Sequence, residues 1–141
     1  MKALIDTNVL LDVLCERQPH VEASAGIWSL AETGRLTGCI AAISVTNIYY
    51  IIRRLTDHRK AMQAMVLLRD IFTLAACDGQ VLNQAIDARF TDLEDAVQWF
   101  SALHVGADVL ITRNVRHFPR TGLSVVTPAE FLAAQEDTTT G

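Results

Sequence analysis

Three carboxylates in two short stretches of the sequence are its strongest chemical signal. Asp6 stands where an apolar run meets a polar Thr-Asn pair, and TDLEDAVQWF places Asp92 and Asp95 three positions apart. Residues i and i+3 share one face of a helix, so these two carboxylates would lie together with Glu94 beside them. Acidic residues also favour helix N-termini on their own account. Gathered with Asp6, however, they would repel one another unless a hard cation such as Mg²⁺ or Mn²⁺ neutralised them, which predicts a site for phosphoryl chemistry.

The elements that position these residues alternate between strand-like and helix-like segments. Short apolar runs predict strands over residues 3–5, 38–43, 71–75, 109–112 and 124–126. Apolar spacing and capping residues predict helices over residues 7–14, 21–33, 44–55, 58–69, 78–87, 92–106 and 128–135. This alternation is typical of an α/β fold with a mostly parallel sheet.

Polar residues at the starts of these segments supply the predicted helix caps. Thr7 or Asn8 is expected to cap the first helix and Ser44 the third. Asp78 and Asp92 are expected to cap two later helices in the same way. The tetrapeptide TPAE at residues 127–130 is a capping box with proline at the first helical position.

Three polar segments follow predicted strands and would meet at one edge of the sheet. Asp6 follows the first strand, residues 44–47 follow the second, and Arg113 with Asn114 follows the strand at 109–112. Ligands of open α/β sheets bind beyond the carboxyl ends of the strands. The candidate site is therefore expected at that edge.

The composition is that of a soluble globular protein with a real core. The chain has 141 residues, of which 50% are hydrophobic and 20% charged, and this predicts one compact domain. Its net charge of −4 argues against a generic phosphate-backbone binder but is compatible with an acidic nuclease site. No apolar run is long enough to cross a bilayer and no signal peptide is evident, so the expected location is cytoplasmic. The three cysteines lack metal-site spacing and predict buried thiols.

Five stretches of the sequence resemble the PIN domain family, the fold of many metal-dependent ribonucleases, including the toxins of bacterial toxin–antitoxin pairs. They are LIDTNVLLD (4–12), ISVTNIYYIIRR (43–54), DLEDAVQWFSALHVGADVLITRN (92–114), HF (117–118) and VVTPAEFL (125–132). The resemblance implies a PIN-like three-layer fold with a central, mostly parallel twisted sheet flanked by helices. The expected domain covers residues 1–135, followed by a disordered tail over 136–141. The resemblance also implies Mg²⁺- or Mn²⁺-dependent hydrolysis of RNA, a possible cognate antitoxin and a homodimer.

The family's acidic positions carry over to this sequence only in part. Asp6 matches the first acid of the family, Asp95 the acid on the later helix, and Asp92 a further acid used by some members. Where the family usually has Glu and Asp, this chain has Asn47 and Asn114, which offer carbonyl oxygens without charge. The count of charged ligands sets metal affinity in oxygen-ligand sites, so weaker metal binding is expected.

The resemblance assigns expected roles to the remaining candidates. Asp6 and Asp95 would bind the metal, and Asp92 would orient its water shell or act as a base, with Glu94 as a substitute. Secondary site candidates, which would position the loop or bind a ligand, are Asn47, Asn114, Thr7, Asn8, Glu94 and Thr112. Candidates for contacts with RNA are Arg113, Arg116 and His117, the last also as a general acid or metal ligand.

Other classes of protein fit the sequence less well. A haloacid-dehalogenase-like phosphatase needs a second Asp two residues after the first, where this chain has Asn8. A receiver domain needs an acidic pair and a late lysine, and neither is evident. The open alternative is a catalytically weak or inactive PIN-like domain that binds RNA or a partner protein, which Asn47 and Asn114 favour.

Overall fold

Five parallel strands form a single sheet at the centre of the chain. In this computed structural model, residues 1–140 are described, with side chains described for residues 1–136. The strands are β1 (Lys2–Ile5), β2 (Thr37–Ala41), β3 (Thr73–Ala75), β4 (Val109–Ile111) and β5 (Ser124–Val126). Their order across the sheet is β3-β2-β1-β4-β5, which confirms the predicted α/β class with a parallel sheet.

Strand β1 is the middle strand and is covered on both faces. Leu4 pairs in register with Cys39 on one side and Leu110 on the other. Ala3 and Ile5 point into one apolar cluster and Leu4 into the opposite one, as the two-residue period of a strand requires. A strand buried on both faces has no polar alternation, which explains why it reads as a continuous apolar run.

Within residues 1–140, six helices and one short 3₁₀ turn connect the strands, and a seventh helix follows β5. The helices are α1 (Thr7–Leu14), α2 (Val21–Glu32), α3 (Ala42–Leu55), α4 (His58–Ile71), α5 (Gly79–Asp87), α6 (Leu93–Val105) and α7 (Pro128–Thr140), and the 3₁₀ turn is Val115–His117. Residues of α1, α2, α3, α4 and α7 pack in one cluster with Ala3 and Ile5. Helix α6 packs on the Leu4 face and against α5. The result is the expected three-layer arrangement of helices, sheet and helices.

Several caps form as predicted. Asp78 Oδ1 accepts from the backbone N–H of Val81 at 3.0 Å, and Asp92 Oδ1 accepts from that of Asp95 at 3.0 Å. Thr127 Oγ1 accepts from the backbone N–H of Glu130 at 3.1 Å. Helix α6 ends at Gly106, whose φ of +73° is the left-handed conformation that glycine adopts without strain.

Two predicted caps were wrong. The N-cap of α1 is Asp6 itself, because its side chain accepts from the backbone N–H of Asn8, and Thr7 is already the first helical residue. Helix α3 begins two residues before Ser44, after Ala41, which makes no side-chain cap. Ser44 is instead buried in the first turn of α3, where its hydroxyl lies 2.7 Å from that of Thr7.

The C-terminal segment and the three cysteines were also the subject of predictions. Of the predicted tail over 136–141, residues 136–140 belong to helix α7, and residue 141 lies outside the described residues. Cys15, Cys39 and Cys77 are free thiols, but Cys39 alone is fully buried. In the part of the chain that is described, no helix is both long and apolar enough to span a membrane.

Candidate active site

Asp6 is a buried carboxylate whose two oxygens are both hydrogen-bonded. Its side chain stands at the carboxyl end of β1, where only 4% of the residue is exposed. Oδ2 accepts from Thr112 Oγ1 at 2.7 Å. Oδ1 accepts from Gln98 Nε2 at 3.0 Å and from the backbone N–H of Asn8 at 3.4 Å. A charge buried this deeply needs such partners, and they fix the direction in which the carboxylate points.

The sheet brings these partners to Asp6 from distant parts of the sequence. Ile5 pairs with Ile111, so the residues that follow them, Asp6 and Thr112, come to lie side by side. The Thr112 hydroxyl also accepts from the backbone N–H of Asn114 at 2.9 Å, so its proton is free to be donated to Asp6. Thr112 is therefore a scaffold group of the site, one of the two roles predicted for it.

Gln98 is a site residue that the sequence analysis missed. It is 1% exposed on α6, and its Oε1 accepts from the backbone N–H of Thr7 at 3.2 Å while its Nε2 donates to Asp6. One amide thus fixes both the carboxylate and the start of α1. The sequence does contain a sign of this role, because Gln98 lies in the apolar stretch AVQWF. A buried amide there needs hydrogen-bonding partners.

Asp95 lies in the electrostatic field of the other acids. Burial, and then the charges of Asp6 and Asp92, raise the pKa of its carboxyl group from 3.8 to about 6. His117 acts in the opposite direction, since its Nδ1 lies 3.3 Å from Asp95 Oδ2. The charges of Asp6 and Asp92 therefore reach Asp95, and Asp92 is also the cap of α6.

Glu94 turns inward and joins the start of helix α1 to helix α3. Its Oε1 accepts from Thr7 Oγ1 at 2.8 Å, and its Oε2 accepts from Asn47 Nδ2 at 2.9 Å. Both oxygens are engaged, so the carboxylate is held in place between three elements. Asn47 therefore faces the candidate site, and a carboxylate of α6 lies directly against it.

Arg113 has a different role from the one expected. Its Nε donates to Asp12 Oδ2 at 2.7 Å and its Nη2 to Asp12 Oδ1 at 3.1 Å, a bidentate ion pair. Asp12 is 0% exposed and also accepts from Ser24 Oγ at 3.0 Å. The guanidinium group thus neutralises a buried carboxylate. The backbone N–H of Arg113 lies 3.5 Å from Asn8 Oδ1. Asp12, within LIDTNVLLD, was not identified from the sequence as a partner.

The chemistry of the donors fits Mg²⁺ or Mn²⁺. Within residues 1–136, no three His, Cys, Asp or Glu side chains converge as a ready-made metal centre. The site offers the oxygens of Asp6 and Asp95, with amides at Asn47 and Asn114 nearby in the fold. Mg²⁺ commonly binds one or two carboxylates and retains several waters, so it does not need an all-protein cage. A cation would also relieve the repulsion that raises the pKa of Asp95.

Known proteins resemble this chain in sequence and in fold. Ribonuclease VapC1 of Aquifex aeolicus (strain VF5) is 24% identical over 135 residues, covering 92% of each chain. The crystal structure of DNA-bound VapBC from Salmonella typhimurium matches with a TM-score of 0.70 at 18% identity, over 91% of this chain and 98% of that chain. VapC20 of Mycobacterium tuberculosis, described as a sarcin–ricin loop cleaving toxin, matches with a TM-score of 0.62 at 14% identity, over 77% and 86% of the two chains. At such identities the solved structures show a common fold.

The family match covers the candidate site. A family model described as PIN domain matches residues 2–116, from β1 to the turn after β4. The matched range includes Asp6, Asn47, Asp95 and Asn114, and it is well over half of the chain. The resemblance read from the sequence is confirmed, and this chain belongs to the PIN domain family.

Proposed function

We propose that this chain is a divalent-metal-dependent ribonuclease that hydrolyses RNA phosphodiesters as the toxin of a toxin–antitoxin pair. The observation that carries the proposal is the buried Asp6 carboxylate, fixed by Thr112 and Gln98 and electrostatically coupled to Asp95. Burying an acid this deeply costs stability, so its place at a strand end indicates a functional role. Membership of the PIN domain family and the similarity to a ribonuclease, VapC1, support the same activity.

Each site residue has a role in this proposal. Asp6 and Asp95 hold the cation, and Thr112 and Gln98 keep Asp6 pointed toward it. When bound, Mg²⁺ or Mn²⁺ supplies positive charge for the phosphate oxygens and lowers the pKa of a bound water. His117, 3.3 Å from Asp95, orients that carboxylate and stands at the site's edge, where RNA would pass.

Glu94 supplies the negative charge that position 47 lacks. The family's usual Glu is an amide in this chain, but that amide donates to Glu94 Oε2. A carboxylate held between Asn47 and Thr7 places its charge on the same side of the site. Asn114 remains neutral, and its carbonyl oxygen is available as a weaker ligand.

The competing function is a catalytically weak or inactive PIN-like domain that binds RNA or a partner protein. The amides at Asn47 and Asn114 favour it, because each removes a unit of negative charge from the expected ligand set. It predicts RNA binding without metal-dependent cleavage. The two functions therefore separate in a single assay.

Exposed apolar side chains on α3 and α4 support contacts with an antitoxin and with a second copy of the chain. They include Tyr50, Leu55, Met62, Val66 and Leu67. Solved relatives include VapBC complexes, and a partner that covers such a face would remove apolar surface from water. Co-expression with the product of a neighbouring small gene should relieve growth arrest if the toxin role is correct.

RNA cleavage by the purified chain tests the proposed activity. Cleavage of single-stranded or structured RNA should require Mg²⁺ or Mn²⁺ and disappear with EDTA. Asp6→Asn should abolish it, whereas Asp57→Asn, a change in the cap of α4, should leave it intact. Binding without cleavage in any metal would establish the competing function, and cleavage that persists in EDTA would refute the metal site.

A further inference from the structure

We propose that Arg116 and Arg120 hold backbone phosphates of the substrate RNA beside the active site, in a cleft between the β4–β5 connection and strand β5. This inference rests on the proposed ribonuclease function and adds a binding site for one flank of the scissile strand. Its occupant is single-stranded RNA.

The cleft is a feature of the segment that crosses from the carboxyl end of β4 to the start of β5. It has a volume of about 560 Å³, and its lining includes Arg116, Phe118, Pro119, Arg120, Leu123 and Ser124. β5 is an edge strand, so no further strand covers this side of the sheet. The cleft is large enough to take parts of a nucleotide chain.

The walls of the cleft are anchored to the core. Phe118 is buried and packs on Trp99 with ring centroids 6.4 Å apart. Leu123 is also buried in the cluster that contains Trp99. A segment held at two buried side chains presents its arginines from a defined position, which lowers the entropy lost when phosphate binds.

The positive charges in the cleft come from two arginines that are not neutralised by a described carboxylate. Arg116 and Arg120 are exposed, and neither makes an ion pair with any residue whose side chain is described. Arg113, by contrast, is occupied by the buried Asp12. In a chain of net charge −4, two guanidinium groups in one cleft form a locally positive site. Guanidinium groups bind phosphate oxygens through paired hydrogen bonds.

One end of the cleft lies beside the candidate active site, because Arg116 in its lining is the chain neighbour of His117. Arg116 precedes His117, whose Nδ1 lies 3.3 Å from Asp95 Oδ2. Arg120 lies further along the connection, toward the start of β5. A strand whose scissile phosphate sits at Asp6 and Asp95 would thus run past His117 into the cleft. This adjacency to a proposed RNA-cleaving site favours RNA over an acidic peptide as the occupant.

The test measures binding of a fluorescein-labelled, short single-stranded RNA in EDTA as a function of salt. Arg116→Gln and Arg120→Gln should each weaken binding by about three- to tenfold and reduce the slope of log K against log[KCl] by about 0.7. The double variant should combine the two losses. Arg35→Gln is the matched control, because Arg35 is exposed and precedes β2, which lies on the other side of β1 from β4 and β5.

The outcomes separate this inference from the proposed function. Unchanged affinity and salt slope in the double variant would overturn the inference, as would an equal loss in Arg35→Gln. A double variant that binds RNA as the wild type does, but no longer binds an acidic peptide that the wild type binds, would also overturn it. With Mg²⁺ or Mn²⁺, the double variant should raise KM for RNA and leave kcat unchanged. A wild-type chain that binds RNA through these arginines but never cleaves it would refute only the ribonuclease.

Discussion

Asn47 donates a hydrogen bond from Nδ2 to Glu94 Oε2 at 2.9 Å, across the space between α3 and α6. The resemblance to the PIN domain family implies a carboxylate where this amide stands, and the residue that the amide holds is a carboxylate from the opposite helix. The negative charge that is absent at position 47 of α3 is thus present at position 94 of α6. Exchanging the amide and the carboxylate between positions 47 and 94 therefore tests whether the charge of Glu94 replaces the one missing at position 47.

The first prediction is that moving the charge back restores metal affinity. Glu94→Gln should weaken Mn²⁺ binding by about tenfold, because one charge near the ligands is lost. The double change Asn47→Glu with Glu94→Gln should recover most of that loss. Isothermal titration calorimetry with Mn²⁺ measures both, without dependence on cleavage.

Glu22→Gln is the control for this exchange, since Glu22 is exposed in the first turn of α2. It should bind Mn²⁺ as the wild type does. Wild-type affinity in Glu94→Gln would show that Glu94 contributes only hydrogen bonds to Thr7 and Asn47.

The second prediction concerns the buried ion pair of Asp12 and Arg113. Arg113→Gln leaves the fully buried Asp12 carboxylate without its cation and should destabilise the fold by about 3 kcal/mol. Asp12→Asn combined with Arg113→Gln should recover part of this loss, because the uncompensated charge is removed. Urea unfolding followed by circular dichroism measures the change.

The same variants decide whether Arg113 serves the fold or the RNA. A stabilising role predicts that Arg113→Gln binds RNA with near wild-type affinity under conditions where it is folded. A variant with unchanged stability but weakened RNA binding would reinstate the role expected from the sequence.

The third prediction follows from the raised pKa of Asp95, which burial and then the charges of Asp6 and Asp92 bring from 3.8 to about 6. An acid with a raised folded-state pKa stabilises the fold when protonated, so this contribution is full below about pH 4 and is lost as pH rises through about 6. Without metal, Asp95→Asn should therefore exceed the wild type in stability at pH 7.5 by on the order of 1–2 kcal/mol. The difference should vanish near pH 4.

Thermal unfolding in EDTA at several pH values measures this effect, with Asp57→Asn as a control that retains a capping side chain on α4. The control should follow the pH dependence of the wild type. Equal stability of Asp95→Asn and the wild type from pH 4 to pH 7.5 would mean that neither burial nor the other acids raise the pKa of Asp95.

Local patterns in the sequence predicted the elements of the fold and the positions of Asp6 and Asp92 at the ends of those elements. Asp6 follows a strand with no polar alternation, and Asp92 caps α6, so both positions are fixed by neighbouring residues. The same holds for the final strand and the capping box at Thr127. Element type and the edge at which the ligands meet follow from such short-range signals.

The partners of the site residues depend on contacts between distant residues. Gln98 reaches Asp6 across 92 positions, and Arg113 reaches Asp12 across 101. No local spacing reports these pairs, because they form only when α1, α6 and β4 pack around β1. The start of α3 was also misplaced, since the Ser44 hydroxyl pairs with Thr7 and does not cap the helix.

The central claim is that Asp6 and Asp95 together hold a divalent cation. The most direct measurement is a crystal of the wild-type protein grown with Mn²⁺, with data collected for anomalous scattering. We expect one strong anomalous peak at about 2.2 Å from a carboxylate oxygen of each residue, and its loss in Asp6→Asn. An absent peak at an Mn²⁺ concentration that supports cleavage, or a peak bound elsewhere in the protein, would contradict the account.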